Sequence, residues 1–163
     1  VTDAMHGETV GLVGCGRLKR PGTWPAGDLY TGPLFVMSLA YAARHCHHVY
    51  VLSAKWGLLT LDKPIESYDE RLPTDRDGIA AWARNVECSL RLAHLDEGTD
   101  GRKRCAPLWI IALAGADYID PVRAVAKRTR NPWRIDEPLR GMAIGHRLRW
   151  LKAQLAAQPE LPL

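Results

Sequence analysis

The 163-residue chain has no apolar run near the roughly 18 residues that span a membrane. No membrane partner is therefore expected. Its opening, Val1-Thr2-Asp3-Ala4-Met5-His6, has neither the charged nor the apolar region of a secretory signal, so a cytoplasmic protein is expected. The four cysteines, Cys15, Cys46, Cys88 and Cys105, form no CxxC pair, which argues against a disulfide framework and for reduced, buried thiols. There is no GxxxxGK[ST] phosphate loop, no GxGxxG dinucleotide turn and no GxSxG nucleophile elbow. No cofactor is expected on that basis. Internal repeats and low-complexity segments are also missing.

What is present suits one compact domain over residues 1–163: the chain is 47% hydrophobic, enough for a single core. The net charge of +4 is unevenly spread. Arg102 to Lys152 carries 12 Lys/Arg against 4 Asp/Glu, whereas Asp62 to Asp100 carries 5 against 10. The basic third suits either a phosphate-bearing partner or a solvated helical face.

Short apolar runs at Thr9 to Gly14, Val49 to Leu52 and Leu108 to Gly115 read as strands. The third is continuously apolar, so it is expected in the centre of a sheet. A fourth strand is a candidate at Trp133 to Ile135. Helical spacing marks Pro33 to Cys46, Asp75 to Leu95 and Gly145 to Ala157. A further helix over Ala116 to Arg128 is expected to start at Pro121, because proline breaks a helix interior. Arg17 to Tyr30, the stretch after Leu52 as far as Pro73, and Asp96 to Arg104 read as loops, and Gln158 to Leu163 as a proline-containing tail. Strands alternating with helices predict a small, mostly parallel α/β sheet with helices on both faces, in three layers.

The chemistry-bearing residues follow the strands, where open α/β sheets bind ligands. After the first strand come Cys15, Gly16, Arg17 and Lys19: glycine permits close backbone approach and the cations suit phosphate. Asp28 and Tyr30 precede the first helix, with Thr31 as its expected cap. Ser53, Lys55, Trp56 and Gly57 end the second strand, and Glu66, Tyr68 and Asp69 follow in one loop. Asp28, Glu66, Asp69 and Glu70 are candidate acids or bases, with Lys55 setting the charge state of a neighbouring carboxylate. Arg140, His146 and Arg147 flank the start of the last helix, where an anion can bind. Each group also has a purely structural reading as a turn, cap or solvated charge. His45-Cys46-His47-His48 invites a metal, but adjacent residues point different ways and no second ligand pair has zinc spacing. No metal site is expected.

In order and spacing, CGRLKR, DLYTGPLF, VLSAKWGLL, IESYDERL and PLRGMAIGHRLRWL resemble a bacterial and phage family, domain of unknown function 6884, over most of the chain. SAKWGLL followed by IESYD is also similar to part of the YaaA peroxide-stress family, whose members are associated with DNA binding and protection from oxidative damage. Related sequences occur near nucleic-acid modification enzymes. The resemblance therefore implies a base- or nucleotide-directed activity.

Together these readings predict an enzyme acting on a nucleobase, nucleotide or modified nucleic acid, by N-glycosidic bond cleavage or base exchange. Asp28, Glu66 or Asp69 would stabilise a sugar cation or activate water. Arg17, Lys19 and Lys55 would meet phosphate, and Tyr30, Trp56 or Tyr68 would stack on the base. The alternatives are a non-catalytic DNA-binding module of the YaaA kind, working through the basic third, and a structural or partner protein.

Overall fold

The computed structural model describes residues 8–97 and 101–157. The opening hexapeptide, the tail from Gln158 and residues 98–100 of the polar loop lie outside them. In chain order the elements are β1 (Glu8–Gly14), β2 (Thr23–Pro25), α1 (Ala26–Leu29), α2 (Pro33–His45), β3 (His48–Ser53), β4 (Gly57–Thr60), β5 (Pro64–Glu66), α3 (Arg76–Ala93), β6 (Leu95–Glu97), β7 (Lys103–Cys105), β8 (Leu108–Leu113), α4 (Ala116–Arg128), β9 (Trp133–Asp136) and α5 (Ile144–Ala157). Five strands make the main sheet in the order β4-β3-β1-β8-β9. β3, β1, β8 and β9 are parallel; β4 is the antiparallel edge.

The period of two along each strand divides the core. Val10 and Leu12 of β1, Leu52 of β3 and Ile110 and Ala112 of β8 face α3 and α4. Val13, Val51 and Leu113 face the opposite layer of α1, α2 and α5. Gly11 shares that second face: a Cβ there would fall 2.9 Å from Ala42 Cβ, so the missing side chain lets α2 lie close on β1. Leu151 of α5 is fully buried on this side. This is the predicted three-layer α/β arrangement, and the three principal strands and β9 stand where the sequence places them. No helix among the described residues is long and apolar enough to cross a membrane.

The segments read as plain loops hold more structure. β2 and α1 lie within Arg17 to Tyr30, and β2 pairs antiparallel with β5. β4 and β5 lie before Pro73, and β6 and β7 flank the tip of the Asp96 to Arg104 excursion. Most of these strands have three residues, too few for alternation to show. Helix α4 begins at Ala116, not Pro121: Tyr118 and Ile119 N–H both donate to Gly115 C=O, so the first turn closes ahead of the proline. Proline there removes one intrahelical donor, and packing of Ile119 and Val122 in the core offsets it. Gly32, not Thr31, is the N-cap of α2, and no side chain caps it. Asp75 does cap α3, accepting from Gly78 N–H at 2.6 Å.

Candidate functional site

In the parallel part of the sheet, β1 connects outward to β3 on one side, while β8 and β9 lie on the other. The crevice beyond the carboxyl ends of β1 and β8 is thus the topological switch point, where doubly wound sheets bind ligands. Two cavities open there and share Cys15, Gly16, Arg17 and Tyr118. The larger, about 560 Å³, is polar: Lys19, Asp69, Glu70, Arg71 and Asp117 line it, over Leu72 and Ile79. The smaller, about 350 Å³, is mostly apolar, with Phe35, Leu113, Leu139, Ile144 and Leu148 in its wall and Arg147 among them. Ser38 also lines the smaller cavity. Its hydroxyl is buried, the residue being 1% exposed, and has no hydrogen-bond partner. An unpaired buried hydroxyl costs about 1–3 kcal/mol.

Local structure explains how each group arrives. β1 stops at Gly14, and Cys15 N–H then donates to Leu52 C=O, which turns the chain across the sheet edge. Cys15 Sγ lies 3.3 Å from Tyr118 Oη in the first turn of α4. Burial, then the contact with Cys15, holds the Tyr118 phenol well above its ordinary pKa. It serves as a hydrogen-bonding hydroxyl rather than a base. At the N-cap of α4 a Cβ on Gly115 would sit 2.3 Å from Asp117 Oδ1. Only glycine leaves the Asp117 carboxylate room to fold back over the helix start.

A second layer supports the polar cavity. Ser53 is fully buried at the end of β3. Its Oγ accepts from Trp56 N–H at 3.0 Å and lies 2.7 Å from Tyr68 Oη, which is 2.7 Å from Tyr30 Oη. The Ser53 carbonyl accepts from Trp82 Nε1–H at 2.9 Å. Burial pushes the Tyr30 phenol up to about 12 and the Tyr68 phenol higher still, so the chain of hydroxyls stays protonated. Lys19 Nζ stands 4.5 Å from the centre of the Tyr68 ring, a cation–π contact that aims the ammonium at the cavity mouth. Lys55 pairs with Glu70 at 2.8 Å and lies over Trp56.

The residues singled out in the sequence thus separate into three groups. Cys15, Gly16, Arg17, Lys19 and Asp69 come together on the polar cavity. Tyr30, Ser53, Lys55, Trp56, Gly57 and Tyr68 do not line either cavity; they form the hairpin and hydroxyl chain behind it. Asp28, Glu66, Arg140 and His146 lie elsewhere. Asp28 lines a shallow cavity with Arg20 and Val36. Glu66 is an exposed residue of β5, two positions before the hydroxyl chain, and the cation expected to set its charge, Lys55, binds Glu70 instead. Arg140 is held by Asp120 and Glu137 at 2.8 Å each. His146 fails by helical phase. α5 starts at Ile144, so Ile144, Arg147 and Leu148 share the crevice-facing side, and His146 is turned away from it.

Sequence reasoning passed over Arg71, Asp117, Tyr118 and Ser38, whereas Arg147, expected near an anion at the start of the last helix, does line the apolar cavity. Asp117 had a signal: Gly115-Ala116-Asp117 directly after a fully apolar strand places a carboxylate at the carboxyl edge. Among the described residues, no trio of His, Cys, Asp or Glu converges as metal ligands at this crevice.

A family model covers residues 10–153, from β1 through most of α5, and therefore takes in every element of the crevice. The chain belongs to the family of unknown function DUF6884. No curated protein matches it closely enough to count as a relative. The YaaA-like phrase SAKWGLL folds as the β3–β4 hairpin, and the comparisons add nothing to that similarity.

Proposed function

We propose that this DUF6884 protein is an enzyme acting on a nucleobase, nucleotide or modified nucleic acid at the β1/β8 crevice, by cleavage or exchange at an N-glycosidic bond. One observation carries the reading. A polar cavity holding three carboxylates and three cations adjoins an apolar cavity, and the two share Cys15 to Arg17. Their sizes fall in the range of small-molecule sites. The apolar wall around Phe35 and Leu139 suits a flat base. The unpaired Ser38 hydroxyl suits a polar base atom, because a ligand group there would satisfy it. Arg17, Lys19 and Arg71 suit phosphate.

The reaction breaks the bond from sugar C1′ to the base nitrogen. The base leaves with the electron pair and takes a proton, and water or a second base attacks C1′. A carboxylate stabilises the cationic sugar or accepts the proton of the attacking water. We assign that work to Asp69 and Asp117, which both line the polar cavity. Tyr118, held neutral by burial, is a hydroxyl donor for the departing base.

The test is a screen of nucleosides, nucleotides and modified DNA for released base, followed by Asp69→Asn and Asp117→Asn. Turnover should fall by about 100-fold or more in at least one variant while the fold survives. No released base anywhere on the panel, or full activity in both variants, would overturn the reading.

A second reading has its own observation. Arg102, Lys103, Arg104, Lys127, Arg128 and Arg130 are exposed at the opposite, amino end of the sheet. A hydrogen bond from Trp133 Nε1–H to Cys105 Sγ joins β7 to β9 there. A DNA-binding module would use this surface. It predicts binding that falls steeply with salt, with no released base.

A further inference from the structure

The amino end of the sheet carries a cluster that the crevice reading does not use. Glu8 opens β1, His48 opens β3, and His94 follows the last turn of α3. β1 and β3 are parallel neighbours with Val10 opposite His48, so their first residues share one edge. α3 runs back to the same edge. The His94 ring is 3% exposed, with Nδ1 2.7 Å from Glu8 Oε2 and Nε2 3.1 Å from Tyr50 Oη. His48 Nε2 is 3.4 Å from the same Glu8 oxygen. The Glu8, His48 and His94 ligand atoms all lie within 4.8 Å of one another.

We propose that Glu8, His48 and His94 form a binding site for a divalent transition-metal ion, with Zn²⁺ the best match. Two imidazoles and one carboxylate are a borderline-soft set that suits zinc and its neighbours, and not the all-oxygen preference of calcium or magnesium. Bonds of about 2.0–2.2 Å at tetrahedral angles put ligand atoms roughly 3.3–3.5 Å apart. The present spread closes to that by small rotations of Glu8 and His48, whose side chains are 52% and 42% exposed. His94 is the fixed anchor. Tyr50 Oη accepts from Nε2–H of the tautomer that leaves the Nδ1 lone pair for the metal, the outer-shell support typical of histidine ligands. Three protein ligands leave a coordination position open to water. The ion would clip the end of α3 to the first residues of two core strands. This site is independent of the crevice and of the reading given to it.

The experiment treats the whole protein with a chelator, removes the chelator, and titrates with Zn²⁺ by calorimetry and thermal melting. Co²⁺ then serves as a spectroscopic probe. Wild type should take up one equivalent with a rise in melting temperature. Glu8→Gln and His48→Ala, both changes of half-exposed side chains, should each weaken binding at least about tenfold. The Co²⁺ spectrum should show a nitrogen and oxygen set without a thiolate charge-transfer band. Absence of saturable binding would overturn the proposal, as would binding unchanged in both variants. A thiolate band would also overturn it, because the ion would then sit on the cysteines, and that readout needs no variant to fold.

Discussion

Replacing Tyr68 with phenylalanine removes one oxygen and keeps the ring under Lys19. That oxygen lies 2.7 Å from both Ser53 Oγ and Tyr30 Oη, so two hydrogen bonds go. At roughly 1 kcal/mol net each, their loss costs about 2 kcal/mol. Ser53 keeps the Trp56 N–H as a donor to its oxygen. Tyr30, 2% exposed, loses its 2.7 Å partner and keeps only the neighbouring Ser53 for its buried hydroxyl, which raises the total to about 2–4 kcal/mol. Tyr30→Phe removes only the end of the chain and should cost about 1 kcal/mol. The double variant should cost little more than Tyr68→Phe, because the poorly satisfied Tyr30 hydroxyl goes with the second change. Urea unfolding measures all three against wild type. In a thermal melt, at about 2–4 °C per kcal/mol for a domain of this size, the Tyr68→Phe midpoint should fall by roughly 4–16 °C. A Tyr68→Phe protein within about 0.5 kcal/mol of wild type would refute the hydroxyl chain as a stabilising device. So would a double variant whose cost is the plain sum of the two single changes.

Three further outcomes follow from particular contacts. Gly57 sits at φ +72°, and a Cβ there would meet Asn85 Oδ1 at 2.6 Å, so Gly57→Ala should destabilise by about 1–3 kcal/mol in a urea melt. Adding Asn85→Ala should recover only part of that, since the backbone strain stays. Gly115 has φ −67° and ψ 156°, which alanine accepts, so Gly115→Ala should fold normally yet displace the Asp117 carboxylate, read as a shift of its carboxyl carbon resonance. An unmoved Asp117 signal would contradict the packing at this helix start. Stability should also fall as pH rises above 10. The Tyr30 phenol ionises near 10 in the unfolded chain but near 12 when folded, and burial raises Tyr68 and Tyr118 in the same direction, so the unfolded state sheds protons first. The loss begins at the unfolded value and continues up to the folded one. A urea midpoint that stays flat between pH 10 and 12 would contradict it.

The strands that sequence made legible are those buried on both faces. β1, β3 and β8 are apolar runs, whereas β9, the edge strand, alternates Trp133 and Ile135 with the charged Arg134 and Asp136 and shows only as a short β-rich stretch. β2, β5, β6 and β7 each have three residues, below the length at which alternation carries information. Pro121 misled for a physical reason: the rule against helix-interior proline gives way when the preceding turn is already closed on Gly115. The site was legible at the level of loops and not of side chains. Residues 66–70 read as one loop, but adjacency cannot say which carboxylates line the cavity: Asp69 and Glu70 do, while Glu66 belongs to a ribbon strand. Arg147 and His146 differ by one residue, about 100° of helix, which no composition argument resolves. His45-Cys46-His47-His48 points four ways, as expected. His45 stacks on Tyr41, Cys46 packs at Gly11, His47 accepts from Thr9 N–H and His48 faces Glu8. The trio at the amino end was invisible because its members stand 40 and 46 residues apart in the chain.

The two ends of the sheet carry different chemistry, and the fold explains why. Parallel strands put every βα turn at one edge and every helix carboxyl end at the other. The crevice therefore collects residues that follow β1 and β8, while Lys127 and Arg128 in the last turn of α4 fall at the far edge, where cations favour a helix carboxyl terminus. A six-residue strand such as β8 separates the edges by about 20 Å. A phosphate bound by Arg17, Lys19 and Arg71, as proposed, would thus be out of reach of the amino-edge cations, because a screened field decays over about 10 Å. A free nucleotide needs only the crevice. A polymer engaging both edges would have to wrap the sheet. Under the two proposed readings, turnover of a small substrate and attachment to a nucleic-acid chain would accordingly be separable, each answering to its own set of cations.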